Sequence, residues 1–176
     1  MRIVAGKYRS RVLNEFEKIG VRPTSDKARE SLFNIINLKV KDCVFLDLFA
    51  GTGAVGIEAL SRGAKEVHFC DNSIQSIKLI KSNLEKLKIS EDIFVNFINA
   101  TTFLSGTDKT FDIIYIDPPY ASEEYLSAIN LSLEKLKDGG MVIVESDKPL
   151  NYQVNGEVFD ERKYGKCHLT FIRKEK

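Results

Sequence analysis

The chain has 176 residues, of which 43% are hydrophobic and 29% charged, a composition that is ordinary for one soluble globular domain. No apolar run approaches the roughly 18 residues of a membrane span, and no apolar secretory segment follows Arg2, so a cytoplasmic protein is expected. Three widely spaced cysteines and two histidines lack the spacing of disulfide frameworks or metal ligands, so neither kind of site is expected.

The net charge is only +1, but the basic residues are concentrated near the N-terminus. Residues 1–29 contain eight Lys and Arg and three Asp and Glu, which gives a net charge of +5. The remaining 147 residues hold 18 basic and 22 acidic side chains, a net charge of −4. A basic arm on a mildly acidic body predicts contact with a polyanion, and a solvated basic surface remains the alternative interpretation.

The first 38 residues predict an extension that precedes the main body. Alternating residues indicate two short strands, 2–5 and 11–13, which a turn over residues 6–10 joins into a hairpin. We expect Tyr8, Arg9 and Arg11 at or near its exposed tip. After an extended linker that contains a proline, Thr24 or Ser25 can cap a helix. The apolar stripe expected to pack that helix on the body is Ala28, Leu32, Ile35 and Ile36.

Strand-like and helix-like segments alternate from residue 43 onward. The predicted strands are 43–48, 66–70, 93–98, 112–116 and 141–144, the predicted helices are 54–62, 73–88 and 122–136, and a loop is predicted around Gly106. Two runs near 152–159 and 167–173 predict a closing hairpin. This alternation predicts an α/β protein with a parallel, doubly wound sheet, in which residues 39–176 form one unit.

A glycine-rich turn, D-L-F-A-G-T-G at residues 47–53, joins the first of these strands to its helix. Asp47 could hold a cationic group, and Asp71, which lies 20 residues after Gly51 at the end of the next strand, could bind a ribose. With Gly56 the turn also spells G-x-G-x-x-G, the dinucleotide-binding motif of dehydrogenases. The turn alone therefore fits both S-adenosylmethionine and NAD.

A second motif, Asp117-Pro118-Pro119-Tyr120, follows the strand at 112–116 and is expected beside the glycine turn. The prolines remove two N–H groups, so the Asp117 carboxylate and the Pro118 carbonyl can both accept hydrogen bonds from an exocyclic amine. Such acceptors free the nitrogen lone pair and stabilise the positive charge that develops during methyl transfer. Tyr120 offers a face for stacking, and the base must leave its duplex to reach the site. A dehydrogenase would have no use for this tetrapeptide.

Taken together, these stretches resemble the RsmD-type family of bacterial 16S ribosomal RNA guanine-N2 methyltransferases over nearly the whole chain. The N-terminal matches, R-I-V-A-G at residues 2–6 and R-P-T at residues 22–24, are the most specific for this family. The resemblance implies a Rossmann-like class I methyltransferase fold with seven strands, the last antiparallel, and an added N-terminal hairpin and helix. It also implies S-adenosylmethionine as cofactor and a guanine of 16S rRNA as substrate, within a partly or fully assembled small ribosomal subunit.

The resemblance also assigns roles to individual residues. Asp71 would bind the ribose, and the methionine part of the cofactor would be lined by Asp47, Phe49, Ala50, Gly51 and Gly53. Asn99 and Ala100 stand where related enzymes have Asp-Ala near the adenine amine, and Ser10 stands where the family often has glycine. The residues expected to contact RNA are Lys7, Tyr8, Arg9, Arg11 and Arg22. Three alternatives remain open: an adenine-N6 methyltransferase, an NAD-dependent oxidoreductase and a non-catalytic RNA-binding module.

Overall fold

A sheet of seven strands forms the centre of the protein, and hydrophobic clusters cover both of its faces. The computed structural model describes residues 1–16, 26–118, 123–151 and 153–175. The strands are β1 Val44–Leu48, β2 Glu66–Asp71, β3 Asp92–Phe97, β4 Phe111–Ile116, β5 Leu136–Ser146, β6 Glu157–Tyr164 and β7 Cys167–Arg173. The helices are α1 Asp26–Ile35, α2 Asn37–Val40, α3 Ala54–Ser61, α4 Ile74–Leu87, α5 Ala100–Gly106 and α6 Glu123–Glu134.

The strand order is β3-β2-β1-β4-β5-β7-β6. The strands β1 to β5 pair in parallel, whereas β7 pairs antiparallel with both β5 and β6. The predicted mostly parallel, seven-stranded, doubly wound sheet is therefore confirmed. The order reverses between β1 and β4, which places a crevice at the carboxyl ends of these two strands, where open α/β sheets bind their ligands.

Three elements of the main body differ from the sequence prediction. The first strand of the closing hairpin, predicted near 152–159, is β6 and lies at Glu157–Tyr164. The expected loop around Gly106 is the end of helix α5, because the Asn99 side chain caps it by accepting hydrogen bonds from the N–H groups of Thr101 (3.0 Å) and Thr102 (3.2 Å). The strand predicted at 141–144 is longer, since β5 begins at Leu136, and its pairing with β4 becomes irregular near Phe111. Among the described residues, no helix is long and apolar enough to cross a membrane.

The N-terminal arm, residues 1–14, folds back on itself with a single isolated bridge between Arg2 and Val12 rather than two regular strands. Backbone bonds from Ile3 N to the Arg11 carbonyl (3.0 Å) and from Ser10 N to the Ile3 carbonyl (2.9 Å) close the turn. Ser10 has φ +67°, a left-handed conformation that disfavours most side chains and that explains why glycine suits this position.

The arm packs along helix α3, all eight residues of which are buried. At the N-terminal side of the arm, Val4 N and Ala5 N donate to the carboxylate of Glu58 at 2.9 and 3.0 Å. At the turn, Lys7 N donates to the Ser61 carbonyl at 2.7 Å, and Tyr8 N donates to Ser61 Oγ at 3.0 Å. The turn of the arm therefore lies beside the C-terminal end of α3.

Helix α1 also packs against this side of the sheet. Its buried residues include Ala28, Leu32 and Phe33, and Ile36 just beyond it is buried too. The prediction that Ile35 joins this stripe is wrong, because 38% of its surface is exposed and Phe33 lies inside instead. Phe33 packs with Phe45 of β1, so the extension and the sheet share one hydrophobic cluster.

Candidate active site at the carboxyl edge of the sheet

The glycine turn leaves β1 through an unusual backbone conformation. Phe49 has φ +64°, Gly51 φ +54° and Gly53 φ +77°. A bulky residue in the left-handed region is strained, and such strain is found at ligand-binding turns that their surroundings hold in place. Here the backbone bonds from Ala50 N to the Cys70 carbonyl (3.0 Å) and from Gly53 N to the Ala50 carbonyl (2.7 Å) hold the turn.

The glycines of this turn and of the following helix, α3, have different roles. A Cβ placed on Gly51 would meet no atom of the described residues within 4 Å, so a ligand can approach its backbone closely. On Gly53, a Cβ would lie 3.0 Å from Ile80 Cγ1, and on Gly56 it would lie 2.3 Å from Phe69 Cε1. Gly56 therefore allows α3 to pack on the sheet, whereas Gly51 keeps the outer surface of the turn accessible.

Asp47 is the most deeply buried acid at this edge, with 2% of its surface exposed. Its Oδ2 accepts a hydrogen bond from Gly56 N at 2.8 Å, which fixes the carboxyl group under the turn. Burial raises the pKa of Asp47 well above its ordinary value, and the charges of Asp117 and Asp71 act in the same direction. A cation placed nearby would offset all three effects, so this position suits an ammonium group.

Asp71 connects the end of β2 to the glycine turn. One carboxylate oxygen accepts a hydrogen bond from Gly51 N at 2.8 Å, and the other accepts one from Ser73 N at 2.8 Å. The side chain is half-buried, and a carboxylate offers about four lone-pair sites, so hydroxyl groups can still donate to it. Its position at a strand end fits a ribose-binding acid.

Asn99 has a structural task at the position expected near the adenine amine. Its Oδ1 accepts from the Thr101 hydroxyl at 2.7 Å in addition to the two backbone N–H groups of the α5 cap, and its Nδ2 donates to Glu124. The expected contact with the adenine amine also needs Asn99 Oδ1 as acceptor, and this oxygen is already used to cap α5. Ala100, the first residue of α5, is buried.

Asp117 and Pro118 follow β4 and are half-buried at the same edge. Leu48, the last residue of β1, pairs with Ile116, the last residue of β4. Asp117 therefore lies beside the start of the glycine turn. The pKa of Asp117 is raised to about 8. Burial is the larger cause, and the negative charge of Glu145 is the smaller one. Pro119 and Tyr120 lie outside the described residues, so their expected roles stay predictions.

Glu145, near the end of β5, is a residue that the sequence analysis did not single out. Val144 pairs with Ile116, so Glu145 lies next to Asp117 on the adjacent strand. The hydroxyl of Tyr115 donates a hydrogen bond to Glu145 Oε2. A sequence signal existed, because an acid directly after the buried run 141–144 is expected at the ligand-binding edge of a parallel sheet.

The residues expected to contact RNA are not equally accessible. Arg9 and Arg11 are exposed on the arm. Tyr8 lies in the turn of the arm as predicted, but it is only 6% exposed, so the expectation that its side chain is accessible there is wrong. Its hydroxyl donates to the Glu91 carboxylate, which also pairs with Lys7 Nζ at 2.7 Å. Arg22 lies outside the described residues.

Comparisons with known proteins match this architecture along the whole chain. The family model of conserved hypothetical protein 95 matches residues 1–173. Ribosomal RNA small subunit methyltransferase D from Haemophilus influenzae is 36% identical over 173 residues, which cover 94% of this chain and 89% of that protein. The protein of the same name from Escherichia coli is 38% identical over 150 residues, which cover 84% of this chain and 75% of that protein.

The solved structure of the Escherichia coli protein yhhF has a TM-score of 0.87 with this chain. It is 31% identical, and the match covers 100% of this chain and 99% of that one. The N-terminal arm, the sheet and the closing hairpin thus all belong to the shared fold. The chain belongs to the family of conserved hypothetical protein 95, and the RsmD-type resemblance of its sequence is confirmed.

Proposed function

We propose that the protein transfers a methyl group from S-adenosylmethionine to the exocyclic N2 amine of a guanine in 16S rRNA of the small ribosomal subunit. The observation that carries this proposal is the pairing of Leu48 with Ile116. This pairing places Asp117 and Pro118, which can accept hydrogen bonds from an amine, beside the turn that Gly51 keeps open. Methyl donor and amine acceptor would therefore bind next to each other, as an in-line transfer requires.

The relatives support the substrate class. Both proteins named above are called ribosomal RNA small subunit methyltransferases, and their matches cover 94% and 84% of this chain. The choice of guanine N2 rests on the resemblance to the RsmD-type family, whereas the tetrapeptide that begins at Asp117 supports only an exocyclic amine as the methyl acceptor. The assembled small subunit as the form of the substrate rests on that resemblance too.

The residues of the glycine turn fit S-adenosylmethionine. Gly51 allows close approach of the ligand, Asp71 can accept hydrogen bonds from the ribose hydroxyls, and the buried Asp47 carboxyl group suits the ammonium. Phe49, Ala50 and Gly53 complete the wall of the turn. When bound, S-adenosylmethionine supplies an electrophilic methyl group on a sulfonium.

Asp117 has two tasks in this mechanism. Its carboxylate and the Pro118 carbonyl accept hydrogen bonds from the amine, which frees the nitrogen lone pair for attack. The nitrogen must then lose one proton, and Asp117 accepts it. Burial and the charge of Glu145 raise the pKa of Asp117 to about 8, which suits a base that works near neutral pH. Tyr120 is assigned the stacking of the extruded base.

Residues 1–38 form the RNA-contacting extension in this proposal, and residues 39–176 form the catalytic unit. Arg9 and Arg11 are exposed cations of the arm and would contact phosphates. Lys7 could join them only if phosphate competes with Glu91 for its ammonium. Arg22 keeps its assignment to RNA contact on the resemblance alone.

The test is methyl transfer from labelled S-adenosylmethionine to small-subunit particles from cells that lack the gene. Nucleosides from digested RNA are then identified by mass spectrometry, and N2-methylguanosine is the expected product. Asp117→Ala should lower the rate about 10²- to 10³-fold, the cost of one preorganised transition-state hydrogen bond. The matched control, Asp108→Ala, removes an exposed acid just before β4 and should leave the rate unchanged. N6-methyladenosine as the product would refute the proposed substrate.

A further inference from the structure

We infer that Glu145 determines the specificity for guanine by accepting a hydrogen bond from the ring N1–H of the target base. The inference rests on the proposed function and deepens it, because it names the residue that separates guanine from other purines with an exocyclic amine. Neither the glycine turn nor the tetrapeptide at Asp117 provides this discrimination, since both serve any amine on a ring.

The position of Glu145 brings it to the reacting group. Val144 of β5 pairs with Ile116 of β4, and the two strands are parallel. Glu145 and Asp117, the next residue on each strand, therefore lie side by side at the carboxyl edge of the sheet. Both side chains are half-buried, so they border the crevice without being sealed in the core. The negative charge of Glu145 is also one cause of the raised pKa of Asp117, which agrees with their close approach.

A buried tyrosine orients this carboxylate. Tyr115 is 1% exposed and donates its hydroxyl hydrogen to Glu145 Oε2. It pairs with Asp47 on one side and Ile143 on the other, in the centre of the sheet, which leaves its ring little freedom to move. Tyr115 and Asp117 are two residues apart and so lie on the same side of the sheet, the side that the N-terminal extension covers.

The chemistry of the guanine edge matches two adjacent carboxylates. Guanine presents N1–H beside the N2 amino group, and both are hydrogen-bond donors. An ionised carboxylate only accepts hydrogen bonds, so Asp117 can take the amine while Glu145 takes N1–H. Adenine presents an unprotonated ring N1 beside its amine. That lone pair would face the Glu145 carboxylate, and both acceptors would lose water without gaining a partner.

A pair of nucleosides, compared between the wild type and a variant of Glu145, tests this contact. Guanosine and 2-aminopurine riboside carry the same amine at position 2, but 2-aminopurine lacks the 6-oxo group and its ring N1 has no hydrogen. The part of the preference for guanosine that depends on Glu145 reports the N1–H contact. Each is added as a competitor of methyl transfer to the small-subunit particles described above. The wild-type protein should bind guanosine roughly 10- to 100-fold more tightly than 2-aminopurine riboside, the range for losing a hydrogen bond to a charged group.

Three variants complete the experiment. Glu145→Gln should bring this ratio close to one, because an amide can turn either its oxygen or its NH₂ group toward N1. Tyr115→Phe keeps the ring, removes the orienting hydroxyl and should lower the ratio in part. The matched control is Asp147→Asn, an exposed acid two residues further on, which should keep the wild-type ratio. A variant with no measurable transfer is scored by isothermal titration with the two nucleosides.

The outcomes separate this inference from the proposed function. N2-methylguanosine as product, with an unchanged nucleoside ratio in Glu145→Gln, overturns the inference and leaves the proposed function standing. A lower free energy of unfolding with that same unchanged ratio would make Glu145 a structural partner of Tyr115 only. A wild-type protein without preference for guanosine also overturns the inference. A product methylated on adenine instead refutes the proposed function itself.

Discussion

Arg29 of α1 and Glu58 of α3 form an ion pair in which both side chains are fully buried, with Nε and Oε2 3.5 Å apart. The Glu58 carboxylate also accepts hydrogen bonds from Val4 N and Ala5 N, and Arg62 Nε donates to it at 2.8 Å. One carboxylate thus joins the N-terminal arm and α1 to the helix that follows the glycine turn. The extension that we assign to RNA and the helix that supports the cofactor turn are therefore held together by the same group.

Replacing Glu58 with Ala should lower the free energy of unfolding by about 3–5 kcal/mol, because the buried Arg29 keeps only the more exposed Asp26 as ionic partner and the N–H groups of Val4 and Ala5 lose their acceptor. Urea unfolding followed by circular dichroism measures this change. Glu134→Ala, at the exposed C-terminal end of α6, is the control and should stay within about 0.5 kcal/mol of the wild type. Wild-type stability of Glu58→Ala would mean that this network makes no net contribution.

Asp71→Ala should weaken S-adenosylmethionine binding by roughly 1.5–3 kcal/mol, because the ribose hydroxyls lose a charged acceptor. The bond from Gly51 N to Asp71 is lost as well, which loosens the turn. Asp71→Asn keeps one acceptor oxygen and should fall between Asp71→Ala and the wild type. Isothermal titration gives the affinities. The control is Asp92→Ala, an exposed acid at the amino end of β3, whereas Asp71 lies beside the carboxyl end of that strand. Equal affinity for all variants would remove Asp71 from the cofactor site.

The rate of methyl transfer should rise with pH through about 8. Asp117 must be ionised to accept the amine proton, and burial together with the Glu145 charge raises its pKa to about 8. Below that pH most Asp117 side chains are protonated and the rate is low, whereas above it the rate levels off. Glu145→Gln removes a negative charge, so the pKa of Asp117 falls and the midpoint moves to lower pH. Single-turnover rates between about pH 6 and about pH 9.5 test both points. A flat profile would contradict Asp117 as the proton acceptor.

The double variant Arg9→Ala/Arg11→Ala should bind RNA more weakly and with a smaller salt dependence. Each lost phosphate contact reduces the slope of log K against log salt by nearly one, so the total change is at most about two. Affinity for S-adenosylmethionine should not change. Lys135→Ala/Lys174→Ala is the matched control, because these lysines contact backbone carbonyls near the amino end of β5, remote from the arm. An unchanged slope in the arginine variant would show the arm to be a solvated surface.

Much of the architecture could be predicted because its causes are local. The alternation of apolar strands with helical stripes, and the glycines between Asp47 and α3, specify a parallel sheet with a ligand-binding turn. The carboxyl ends of parallel strands meet at one edge, so Asp47, Asp71 and Asp117 were expected together, and the structure places all three at that edge. The left-handed backbone of Ser10 likewise accords with the glycine that the family often has there.

The tertiary structure alone decided which side chains are covered and by what. Tyr8 is buried because it packs into the hydrophobic cluster of the sheet, and Glu91, 83 residues away, accepts its hydroxyl hydrogen. Glu145 stands beside Asp117 because a sheet register, and not chain spacing, brings β5 against β4. Sequence periodicity identifies the faces of each helix and strand, whereas burial, partner charges and the pKa of Asp117 depend on atoms from remote segments. Those interactions arise only when the chain packs, so the kind of site could be predicted and its detailed chemistry could not.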